Sequence, residues 1–118
     1  MKYLCLIYSE EKQIGSLPGP KLQALMGEYN AFTASITESG QYLGGNRLQP
    51  TGSATTVRVR EGKVSTTDGP FAETKEQLGG YYLIEAVDLN AAIQVASRIP
   101  SARLGCVEVR PVFELPNM

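Results

Sequence analysis

The sequence predicts a single α+β domain: a split β-α-β sandwich with an inserted β-hairpin. Three observations carry this. Apolar patterning runs strand, helix, strand, hairpin, strand, helix, strand along 118 residues, the length of one domain. Two of the core strands are apolar on both faces, so the sheet expects cover on both sides. The charges are interleaved and sum to −1, with no histidine anywhere.

The first strand, Lys2–Tyr8, sets Tyr3, Cys5 and Ile7 against Leu4, Leu6 and Tyr8. No small-residue cleavage site follows it, so it reads as a strand and not a leader. A polar loop is expected over Ser9–Gly19. Pro20 suits the first turn of a helix. Leu22, Leu25, Met26, Tyr29, Phe32, Thr33 and Ile36 then form one helical stripe, and Gly40 stops it from the C′ position. A second strand covers Gln41–Leu48, where Gly44-Gly45 marks a bulge or a close backbone approach. Thr55–Arg60 and Lys63–Thr66 pair as a hairpin around Glu61-Gly62, with a charged face. Gly79–Val87 is again two-sided, with Tyr81 and Leu83 opposite Tyr82 and Ile84. Asp88 caps a second helix with the stripe Leu89, Ala92, Ile93, Ala96 and Ile99, and Pro100 ends it. Gly105–Phe113 is the last strand and Glu114–Met118 an unpatterned tail.

This order is the ferredoxin-like split βαβ arrangement. Two helices cover one sheet face. The other face is too apolar to stay wet. A second copy of the chain is the simplest cover, giving a homodimeric α/β barrel.

Composition narrows the function classes. No basic patch invites nucleic acid or anionic membrane, and no apolar run reaches the roughly 20 residues of a membrane span. Without histidine the commonest general base and metal ligand are missing, and no metal or cofactor site is expected. Cys5 and Cys106 read as buried, reduced thiols of a cytoplasmic protein.

The densest chemistry lies in Thr67–Gly80. Asp68 reads either as a turn residue bonded to the backbone at Gly69-Pro70, or as a general acid/base beside Phe71 in a pocket. Glu73, Lys75 and Glu76 read as a solvated cluster. Lys75 with Arg47 is the cationic pair available to an anionic substrate. Gly79-Gly80 reads as a bulge or a tight strand entry. Tyr8 and either Tyr81 or Tyr82 are placed inside the barrel, as core packing or dimer contact or, for Tyr8 and Tyr82, as a ligand's lining.

Asp68-Gly69-Pro70-Phe71, followed by Ala72-Glu73-Thr74-Lys75-Glu76-Gln77-Leu78-Gly79-Gly80, closely resembles the YCII-related, DGPF-type family of small bacterial proteins. The resemblance extends to Gly45-Asn46-Arg47-Leu48, Thr55–Val59 and Val107–Pro111. It implies a ferredoxin-like fold and a dimeric barrel. The polar groups concentrated in one loop on a two-sided apolar sheet motivate the reading of a cofactor-independent enzyme or binder for a small aromatic or carbonyl compound. The resemblance also implies membership of a broader group of proposed enzymes, one relative being a dehydrochlorinase of chlorinated hydroxyquinols. The His–Asp pair suspected there has no histidine here, leaving only Asp68. Family genes often neighbour genes for extracytoplasmic-function sigma factors, which implies the alternative: a non-catalytic regulator holding a sigma factor through the hairpin.

Overall fold

The computed structural model describes residues 1–116; Asn117 and Met118, the end of the tail, lie outside the described residues. Strands β1 (Lys2–Ser9), β2 (Tyr42–Arg47), β5 (Gln77–Glu85) and β6 (Cys106–Pro111) form one sheet in the order β2-β5-β1-β6. Every neighbouring pair is antiparallel. Strands β3 (Thr55–Arg60) and β4 (Lys63–Asp68) pair only with each other, as an arm. Helices α1 (Glu11–Gly15), α2 (Gly19–Glu38) and α3 (Leu89–Ser97) complete the fold. Each of the two longer helices joins strands that have one other strand between them in the sheet.

Period-two alternation decides which sheet face is covered. Tyr3, Cys5, Ile7, Tyr82 and Ile84 are buried and pack against Phe32 and Ile36 of α2 and Ala92 and Val95 of α3. Leu4, Leu6, Tyr8, Tyr81 and Leu83 point away from the helices and are only half-buried. The molecule is 18 Å thick, the depth of one helix layer on one sheet. Its radius of gyration is 16.3 Å. A compact chain of this length has about 13–14 Å. The projecting arm accounts for the excess.

Local chemistry fixes the element ends. Helix α2 closes with paired bonds, Gln41 N–H to Ile36 O (2.9 Å) and Gly40 N–H to Thr37 O (3.1 Å), with Gly40 at the expected C′ position. The Asp88 carboxylate accepts from Ala91 N–H at 2.9 Å, a cap that contributes about 1 kcal/mol. The arm turns at Glu61 (φ 52°) and Gly62 (φ 74°), the two positive φ values that a two-residue hairpin turn requires.

Several expectations are corrected. The segment Ser9–Gly19 is not all loop, because α1 forms inside it. In α3 the buried line is Ala92, Val95 and Ala96, continued by Ile99, while Leu89 and Ile93 are each 48% exposed. The small Ala92 and Ala96 let the helix sit close to the sheet, and that roll turns Val95 inward. Cys106 is exposed, on the opposite sheet face from buried Cys5, and both thiols are free. Burial pushes the Cys5 thiol up to about 11.

Candidate functional site

A cavity of about 420 Å³ lies between α2 and the sheet. The register builds its floor. Ile7 and Ser9 of β1, Gln77, Gly80 and Tyr82 of β5, and Gly45 and Arg47 of β2 all share the helix-side face. Arg47 pairs with Gly80, and Gly45 with Tyr82. A Cβ at Gly80 would stand 2.9 Å from Asn46 O, and one at Gly45 2.9 Å from Tyr81 O. The two strands approach too closely there for side chains, so the floor between Arg47 and Tyr82 is bare.

The roof is the α2 stripe, with Leu22, Leu25, Met26, Tyr29 and Thr33 facing down. Its polar members are paired at the wall. The Tyr29 hydroxyl donates to Ser101 Oγ at 2.6 Å, and Ser101 is itself buried. Tyr82 and Thr33 share a hydroxyl bond of 2.6 Å. Tyr82 also packs edge-on against Phe32 and Tyr42, at centroid distances of 5.2 and 6.1 Å. Burial raises the Tyr82 phenol above its ordinary value, with the Thr33 bond pulling the other way. It is therefore a neutral hydroxyl at physiological pH.

The open end is closed by α1. Glu11 accepts from Thr51 N–H at 2.7 Å through Oε1 and from the Thr51 hydroxyl at 2.9 Å through Oε2. Its own N–H donates to Gln77 Oε1 at 3.0 Å, and Gln77 Nε2 donates to Thr74 O at 2.6 Å. A five-residue helix has little stability of its own. These bonds hold it over the cavity.

Of the residues singled out in the sequence, Arg47 and Tyr82 line this cavity; Tyr8, Asp68, Phe71 and Lys75 do not. Tyr8 lies on the opposite sheet face from Tyr82, paired with Cys106. Asp68 is exposed at the base of the arm, opposite Thr55. The turn beside it is secured by Gly69 N–H to Ala54 O (2.7 Å) and by the Thr56 hydroxyl to Gly69 O (2.9 Å). Among the described residues the Asp68 carboxylate has no hydrogen-bond partner, so it does not make the turn bonds expected of it. Phe71 and Lys75 are exposed in the irregular segment 69–76. Glu11, Tyr29, Ser101 and Gln77 were not foreseen as site residues. The available signal was polar Tyr29 and Thr33 within an apolar stripe, together with glycine pairs in two neighbouring strands. Among the described residues no cluster of potential metal ligands occurs, and no helix is long and apolar enough to cross a membrane.

The YCII-related domain matches residues 1–116. The chain belongs to this family. It is 36% identical over 124 residues to a protein of Rhizobium meliloti (strain 1021) described as uncharacterized, covering 99% of this chain and 100% of that one. The end of the segment Thr67–Gly80 thereby gains physical content. Gln77 ties down α1, Gly79 is the extra residue of a bulge between Ile7 and Tyr8 of β1, and Gly80 leaves the floor bare.

Glu11→Ala is expected to free the cover without unfolding the domain. Amide exchange at Thr51 should quicken by roughly tenfold, the worth of a hydrogen bond to a charged group, while β1 and β5 amides stay protected. Hydrogen exchange read residue by residue checks this.

Proposed function

We propose that this YCII-related protein is a homodimer holding a small, largely apolar aromatic or carbonyl compound between α2 and the sheet of each protomer. The observation that carries the reading is the cavity itself. At about 420 Å³ it falls within the size range of small-molecule sites. Its walls are mostly apolar, with hydroxyl pairs at fixed places. Tyr82 is the group that meets a carbonyl or ring oxygen, since its hydroxyl can donate to it while accepting from Thr33. Asp68 has no part in holding the compound, because its carboxylate lies outside the cavity walls.

The strand order supports a ferredoxin-like fold, with β1 and β5 central and the hairpin inserted between β2 and β5. The uncovered face supports the dimer. Leu4, Leu6, Tyr81 and Leu83 form its middle, and a sheet of a second protomer is self-complementary to them. In that barrel the cavities stay on the outer, helix-covered sides. One observation favours a second reading: Val57, Val59 and Val64 of the arm are 56–69% exposed, and Val59 pairs with Val64. A two-stranded hairpin with a bare apolar face suits a protein partner such as a sigma factor.

Calorimetric titration with neutral 3-phenylpropionamide should show one site per chain. Met26→Trp, which fills the roof, should abolish it, and Asp68→Asn should leave it within twofold; undiminished binding to Met26→Trp would refute the cavity reading. In sedimentation at micromolar concentration the protein should run as a dimer and Leu83→Asp as a monomer. On the second reading a purified extracytoplasmic-function sigma factor co-elutes with the chain and is released by Val59→Asp, whereas absence of co-elution discards that reading.

A further inference from the structure

The charges of the cavity wall are unequally satisfied, and this narrows what it holds. Among the described residues lining it, Glu11 is the only acid and Arg47 the only cation. Both Glu11 oxygens are engaged by Thr51, at 2.7 and 2.9 Å, so its charge is spent on the cover. Arg47 has no such partner. Its one bond is from Nη1 to the Met26 sulfur at 3.5 Å, and a thioether is a weak acceptor. Among the described residues it makes no ion pair. A guanidinium presents five N–H donors in a planar fork matched to a carboxylate. Here that fork stands solvent-exposed at the edge of an apolar cavity, and among the described residues no carboxylate pairs with it.

The register gives the geometry. Arg47 faces Gly80 across the strand pair, and Tyr82 follows two residues further along the same face. The bare patch between them is one strand repeat, about 7 Å, which is the length of a substituted ring or a short alkyl chain. The apolar Leu22 and Leu25 lie above it. A ligand lying there has its charge at one end only. A single guanidinium balances a monoanion and leaves a phosphate dianion short of countercharge.

We propose that the cavity is selective for small apolar monocarboxylates, with the carboxylate on Arg47 and an aryl or short alkyl body lying across Gly80 and Gly45 toward Tyr82. This deepens the cavity reading and rests on it. The experiment uses the full chain and two probes of equal shape, 3-phenylpropionate and 3-phenylpropionamide, titrated calorimetrically near pH 7. The acid is expected to bind at least tenfold more tightly than the amide. Arg47→Met should remove that preference, so that acid and amide bind the variant about equally. Arg47→Lys should restore it in part, because a point charge lacks the fork. The amide also reports that each variant retains its cavity. Equal binding of acid and amide to the wild-type chain, or a preference that survives Arg47→Met, overturns the inference while the cavity reading stands. If neither probe binds the wild-type chain, both fail together.

Discussion

The close approach of β2 and β5 governs the site. Where Gly45 meets Tyr82 and Gly80 meets Arg47, each missing Cβ would stand 2.9 Å from a carbonyl oxygen of the facing strand. Any other residue forces the strands apart, and the bonds between them lengthen with that movement. Two bulges make the register come out this way. Leu43 is the extra residue against β5, and Gly79 the extra residue against β1. A shift of one residue turns every side chain to the other face. Without the bulge at Gly79, the helix-side positions before it would be out of phase, and Gln77 would not point toward α1. The α1 cover and the glycine floor therefore depend on the same strand.

The sheet separates two tasks by face. The helix side carries both the packed core and the cavity, which lie at different ends of α2. Phe32 and Ile36, toward its C-terminal end, are buried in the core. Leu22 and Met26, toward its start, face open space. The other side carries Leu4, Leu6, Tyr81 and Leu83, with no helix layer over them in an 18 Å slab. A stable protein interface needs roughly 800 Å² from each partner, and in the proposed dimer this four-stranded face is what supplies it. Association through that face leaves α2 and its cavity accessible.

The elements were legible in the sequence because each announces itself locally. Glu61-Gly62 names its turn, Asp88 its cap, Gly40 its helix stop, and the two-sided strands their central place in the sheet. Of the candidate site Arg47 and Tyr82 were legible and the rest was not, for a geometric reason. Tyr8 and Tyr82 look alike as tyrosines in apolar strands, yet period-two alternation puts them on opposite faces. Asp68 offered two readings, turn residue or general acid/base, and the structure places it exposed at the base of the arm, outside the cavity lining. The residues that do enclose a space come from separate parts of the chain: β1, α1, α2, the end of β2 and the loop after it, β5, and Ser101. No window of sequence brings Arg47 to Met26 or Glu11 to Thr51.

The signature segment is better understood as three mechanical parts than as one reactive centre. At Gly69 the chain leaves the arm, held by Ala54 and Thr56 and not by the Asp68 carboxylate. At Gln77 a side-chain amide spans Thr74 and Glu11, coupling the loop to the cover of the cavity. At Gly79 and Gly80 the strand bulges and then lies flat enough to form a floor. Gly69 by its positive φ, Gln77 by its hydrogen bonds and Gly80 by the close approach of Asn46 O are each needed for a local reason, and they do not converge on one point; among the described residues no contact explains Asp68. The chemistry of the site is then set by what borders the floor, namely Arg47 on one side and the Tyr82–Thr33 hydroxyl pair on the other. On the proposed binding reading these borders set the ligand, while Gly45 and Gly80 keep the space between them open.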